Sequence, residues 1–267
     1  MDSTQLVNTV SSVLAMPGVK VNRREFLSKT LKVDNDKIAL LLDKGPIGSG
    51  LFTREEIAKI AKNLGNKRNW QTSSLSFASG IPGGVAMAAT IPTDILQFFS
   101  FTLKIAQEIA YLYDSKDFWI DKNTIDEKVK SELMLYLGTM FGVGGAASSL
   151  RYISQVMTER LVTELPKQAL TKTIWYPILK NIGQYVGIKV TKDSAVKGIS
   201  KVVPILGGIV SGGITYFTIN KMNNRLITEL DKRINYTDIQ RQSDIESMKK
   251  EMPEVYDAVY EEILDHQ

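Results

Sequence analysis

Cysteine is absent from the chain, and histidine occurs once, at His266, one residue from the end. The first absence removes disulfides and thiolate metal sites and fits a reducing compartment. The second removes histidine-based triads, histidine metal clusters and most general-base designs. Any chemistry would fall to carboxylates, lysines, tyrosines and hydroxyls, and neither a metal nor a cofactor is expected. No alternating strand pattern of any length occurs, which leaves an all-α fold. The opening residues, MDSTQLVNTVSSVLAMPGVKV, lack the basic start and strong apolar core of a signal peptide. With 43% apolar residues and a mean hydropathy of −0.08, the average is that of a soluble protein, not a polytopic membrane protein.

Charge is present but unevenly placed. Residues 1–70 hold twelve Lys/Arg against seven Asp/Glu, and residues 71–166 hold seven against ten. Residues 167–201 carry seven lysines against Asp193 alone, a net +6, and 202–220 are uncharged. Residues 221–267 are acidic, with seven against eleven. A basic block beside an uncharged stretch suits an anionic surface. Within it, Lys172, Lys180, Lys189, Lys192 and Lys197 are the candidate lipid contacts, with Trp175 as an interfacial aromatic. The basic blocks contain no recognised nucleic-acid motif and no interleaved arginine and aromatics, so no nucleic acid is expected.

Helix signals run along the chain. REFLSKTL and DNDKIALLLDKG read as short helices, the second stopping at Gly45, and residues 45–50, GPIGSG, read as a loop. Thr53-Arg54-Glu55-Glu56 is a capping box, and Gly65 is the expected stop of the helix it opens. Asp94 is expected to cap a helix running to about Asp114 whose apolar residues cover most of its circumference, marking it as central. Asp94, Gln97, Lys104 and Glu108 form an aligned polar stripe on it, with Lys104 and Glu108 placed to pair at i,i+4. This stripe reads as a buried pair fixing register; a polar cavity lining is the alternative. A carboxylate site of Asp94, Glu108 and Asp114 would be the enzymatic reading, but one sequence does not bring them together. Residues 124–160 read as one helical stretch, and 224–264 as charged and helical with a sparse apolar stripe.

Glycine concentrates in three segments: SGIPGGVAMAATIPTD at 79–94, GTMFGVGGAASS, and PILGGIVSGGITYF. None carries the Lys-Ser/Thr of a phosphate loop. Gly142-Val143-Gly144-Gly145-Ala146-Ala147 comes near a dinucleotide fingerprint but has no strand before it. As membrane spans the uncharged stretches 133–150 and 202–220 are marginal, because small residues dilute the apolar ones. Close helix packing remains. Gly83 and Gly84, Gly138 and Gly142, Gly144 and Gly145, and Gly208 and Gly212 offer faces on which backbones can approach.

The run IPGGVAMAATIPTDILQFFSFTLKIAQEIAYLYD, with Gln107-Glu108-Ile109-Ala110-Tyr111-Leu112-Tyr113 at its end, resembles the signature of the EcsC family of bacterial proteins. GVGGAASS and VVPILGGIVSGGITYF are similar to that family's glycine-rich C-terminal helices, and the latter also to membrane-associated helical tails of some GTPases. The resemblance covers roughly residues 70–235 and carries no catalytic residues. It implies a helical domain there, with an N-terminal helical region at 1–69 packing on it and a charged helical tail at 236–267.

These features define two function classes. One is a non-enzymatic bacterial protein at the inner face of the cell membrane. Its glycine-rich helices would lie on or insert into the bilayer, in transport, in secretion or as a conditional pore. The other is a soluble helical protein binding an apolar ligand or a protein partner, such as a transporter subunit or a toxin.

Overall fold

The computed structural model describes residues 10, 12–16, 18–71, 93–119, 127–159, 178, 181–182 and 212–265. Those residues are mostly helical, with no strand among them, so the fold is all-α. The helices are α1 (Arg23–Leu31), α2 (Ile38–Lys44, preceded by a 3-10 turn at Asn35–Lys37), α3 (Arg54–Gln71), α4 (Thr93–Leu112), α5 (Glu127–Phe141), α6 (Ala146–Glu159), α7 (Gly212–Ile234), α8 (Asp238–Glu251) and α9 (Pro253–Asp265). They belong to two compact units, Thr9–Ile125 and Asp126–Gln267 with Met1–Asn8. By these contacts the chain divides at 125/126.

In the first unit α4 is the central element. Leu96, Phe98, Phe99, Leu103, Ile105, Ala106, Ile109 and Leu112 are all buried on it, and α1 and α3 pack against it. Phe101 is only half-buried. Asn22 caps α1 by accepting from the Glu25 N–H at 2.9 Å. The Thr53–Glu56 box forms in both directions, at 2.9 and 3.2 Å. Gly65 does not stop the helix it was expected to end. It is buried on the same stripe as Ile57 and Ala61, and α3 continues through it to Gln71. A glycine in a packed face costs only about 1 kcal/mol against alanine, too little to end a helix that tertiary packing supports.

In the second unit α5 and α6 form an antiparallel hairpin, flanked by α7 and α8, with α9 packed on α6 and α8. The expected single stretch over 124–160 is broken at residues 142–145. Gly142 has φ +72° and Gly145 φ +76°, values that L side chains adopt only with strain. The Gly142 N–H bonds to Thr139 O at 3.0 Å and the Val143 N–H to Gly138 O at 2.9 Å, the two bonds of a Schellman stop. Gly138 and Gly142 are therefore not small positions along one helix face: the spacing spans a turn. The Thr237–Gln240 capping box opens α8, and Pro253 occupies the first position of α9, where its missing N–H does no harm.

Close approach does occur at Gly138. A Cβ built there would lie 2.9 Å from both Ala146 Cβ and Ile178 Cγ2. Gly138→Leu is expected to destabilise by about 1–3 kcal/mol through overpacking, more than the ~1 kcal/mol returned by removing a helical glycine. Urea denaturation of the full chain checks this; an unchanged midpoint would contradict the close packing.

Candidate functional site

The polar centre of the first unit is Gln107, fully buried on α4. Its Nε2 donates to Val19 O at 3.0 Å and to Leu103 O at 2.9 Å. Its Oε1 accepts from the Val21 N–H at 3.1 Å and from Trp119 Nε1 at 2.7 Å. All four hydrogen-bonding positions of the amide are thus used. One turn on, Tyr111 stacks on Phe118 at 5.0 Å and accepts from the Phe118 N–H, with its hydroxyl 3.3 Å from both Val21 O and Asp117 Oδ1. Burial pushes the Tyr111 hydroxyl well above the usual phenol range, with the Asp117 charge adding to it. Lys20 lies 4.8 Å over the Trp119 ring.

Asp114 follows α4 at φ +66° and accepts from the Ile47 and Gly48 N–H groups, both at 2.9 Å. That carboxylate ties the 45–50 loop to the end of α4, and Lys116 Nζ adds a bond to Asp43 O. The helix ends at Leu112, two residues before the expected stop.

In the second unit the equivalent centre is ionic. Arg151 on α6 bonds Asp244 of α8 through both Nε, at 2.9 Å, and Nη2, and bonds Glu229 of α7 through Nη1. The side chains are 13%, 4% and 16% exposed respectively. Tyr236 donates to Asp244 Oδ2 at 2.8 Å, and Lys232 pairs with Glu229 at 2.9 Å. Burial pushes the Tyr236 hydroxyl up, and the Asp244 carboxylate beside it adds to the shift. Nearby, Arg225 Nη1 donates to Met140 O at 3.2 Å, placing a cation at the C-terminal end of α5 where the helix dipole favours it.

The sequence-derived candidates fare unequally. Gly142, Gly144 and Gly145 form the hairpin turn, where Cβ atoms on Gly144 and Gly145 would fall 2.7 Å from Glu251 Oε2 and Met252 Cγ. Gly212 is the first residue of α7, while Gly83, Gly84 and Gly208 lie outside the described residues, as do Lys172, Trp175, Lys180, Lys189, Lys192 and Lys197. The polar stripe is corrected. Gln97 is exposed, Lys104 half-buried and Glu108 buried, so the stripe passes from water into the core. Glu108 sits on the packed face and Lys104 at its edge, so the two differ in burial along the stripe. Asp94 lies inside α4, which starts at Thr93, so it is not the residue preceding the helix; its side chain is outside the described set. Gln107 and Arg151 were missed. The only available signal was an amide and a guanidinium embedded in otherwise apolar helical stretches.

Among the described residues no helix is long and apolar enough to cross a membrane, and no group of His, Asp and Glu is arranged to hold a metal ion. Comparisons with protein-family models, curated proteins and solved structures find no match.

Arg151→Met would leave Asp244 and Glu229 without their cation. Breaking a largely buried ion pair from one side typically costs about 3–5 kcal/mol. Chemical denaturation of the variant checks this, and a loss below about 1 kcal/mol would place the pair in the weak class of surface bridges. Gln107→Leu is expected to leave the Val21 N–H, the Trp119 Nε1–H and the Val19 carbonyl unpaired, at roughly 1–3 kcal/mol each where water cannot reach them. Faster amide exchange at Val21 would report that loss directly.

Proposed function

We propose that this chain is a non-enzymatic helical protein that associates with the cytoplasmic face of a bacterial membrane. The observation that carries the reading is the segregation of charge: seven lysines against one aspartate over 167–201, with Trp175 and Tyr176 among them, directly before nineteen uncharged residues. Lysines near an anionic bilayer contribute about 1 kcal/mol each, and aromatics favour the headgroup level. The small-residue composition of 202–211 suits a segment that can pack against helices or meet lipid. The resemblance of residues 70–235 to the EcsC family supports the same reading, and with it a link to transport or secretion. The carboxylates with assigned bonds also favour it. Asp114 holds backbone amides, and Asp244 and Glu229 hold a guanidinium, so each is committed to joining elements of the fold.

Vesicle flotation of the full chain tests the proposal. Binding to vesicles containing anionic phosphatidylglycerol is expected at low salt, with little binding to neutral phosphatidylcholine. Replacing Lys172, Lys180, Lys189, Lys192 and Lys197 with Gln should reduce it by at least two orders of magnitude, since five contacts of ~1 kcal/mol are removed. Equal binding to both vesicle types would reject the reading. A species that stays entirely with the vesicle-free fraction would favour the apolar-ligand or protein-partner class instead.

A further inference from the structure

Arg23, the first residue of α1, is 4% exposed. Its Nη1 donates to Leu42 O at 2.6 Å, near the C-terminal end of α2. Its Nε and Nη2 are buried and meet no acceptor in the protein. These two donors are not scattered: Nε–H and the adjacent Nη2–H form the parallel edge of the guanidinium that takes two oxygens of a carboxylate or phosphate side by side. Ser131 Oγ, Thr139 Oγ1 and the Asn223 amide are also buried without partners. Those groups are neutral, whereas a permanent cation held out of water demands an anion.

The nearby carboxylates do not meet that demand. Both oxygens of Asp114 are bonded to the Ile47 and Gly48 amides. Asp117 Oδ1 is within reach of the Tyr111 hydroxyl and accepts from the Trp119 N–H at 3.1 Å. Both act on Arg23 through their fields, Asp117 more strongly, without a hydrogen bond to it. The Tyr111 ring, 6.0 Å from the guanidinium carbon, offers its face and leaves the edge donors open. Asp117 is exposed, and its charge acts on the same guanidinium that an incoming anion would meet. The start of α1 adds the partial positive charge of a helix N-terminus to the same residue.

We propose that the Nε/Nη2 fork of Arg23 is a receptor for a small oxyanion, a carboxylate or a phosphate group, which competes with Asp117 for the guanidinium. The proposal is independent of the membrane reading. It is tested on the full chain by thermal denaturation while inorganic phosphate or acetate replaces chloride at constant ionic strength. A saturable rise in Tm of about 2–4 °C is expected with one of the two ions, the shift that ~1 kcal/mol gives a chain of this size class. Whichever ion acts identifies the group. Arg23→Lys keeps the charge but loses the two-pronged edge, and should abolish saturation. Asp117→Asn removes the competitor and should lower the half-saturating concentration several-fold; it decides the matter should Arg23→Lys fail to fold. A Tm that responds to neither ion, or that rises equally in the parent and in Arg23→Lys, overturns the proposal. So does a half-saturating concentration left unchanged by Asp117→Asn.

Discussion

Burying the non-helical stretch around Val19 and Val21 against α4 takes backbone N–H and C=O groups away from water, and one carboxamide receives them. Such groups cost free energy unless they find partners. A helix face made only of Leu, Ile and Phe could bury these two valines but could not bond their backbone. Gln107 does both: it fills a fully buried position and bonds Val19, Val21 and Trp119 at once. The entry into α1 and the turn after α4 are thereby fixed to the same point. Tyr111 and Asp114, four and seven residues further on, extend the anchoring to Phe118 and to the 45–50 loop. The N-terminal helices are short and apolar only in part, so their placement depends on this polar seam along α4 as much as on burial.

The unit of residues 126–267 meets the same requirement with charges. Arg151 reaches α7 and α8 together, and three helices share one guanidinium. Desolvation offsets much of what such a buried network gains, so its main product is register and not net stability. A Leu at 151 would pack as well in several axial positions; a fork that must meet Asp244 on one side and Glu229 on the other fits one. Arg225 at the end of α5 and the left-handed glycines at 142 and 145 fix the hairpin that presents Arg151 at the right height.

Local features were legible in the sequence and distant ones were not. The Thr53–Glu56 box, the stop at Gly45, the 45–50 loop and the all-round apolar character of α4 each depend on residues within a few positions of one another, and each can be read from spacing alone. Gly138-x-x-x-Gly142 was ambiguous for a physical reason. Two glycines four apart serve equally as a helix face and as a C-terminal stop, and only the φ of Gly142 separates the two. Gly65 was ambiguous in the opposite sense, since a stop signal is overridden where the same position is packed. Gln107 and Arg151 were invisible because their partners lie 86 residues away at Val21 and 93 away at Asp244. No periodicity connects such pairs. The lysines and tryptophan of 167–201 fall outside the described residues.

Arg151 and Arg23 show how much the surroundings decide what a charge can do. Arg151 is 13% exposed and closes on two carboxylates and a serine hydroxyl, so its donors are committed to the fold. Arg23 is more deeply buried yet closes on one backbone carbonyl and the face of a tyrosine. Burial without a bonded counter-charge pushes its pKa down, although three acidic groups around it pull the other way. A purely structural tie between α1 and α2 needs only the Nη1 bond to Leu42. The planar fork is the part of Arg23 that the protein itself leaves without a bond. Arg151, Asp244 and Glu229 meet one another, and that difference separates a group that builds the fold from one able to receive something from outside it.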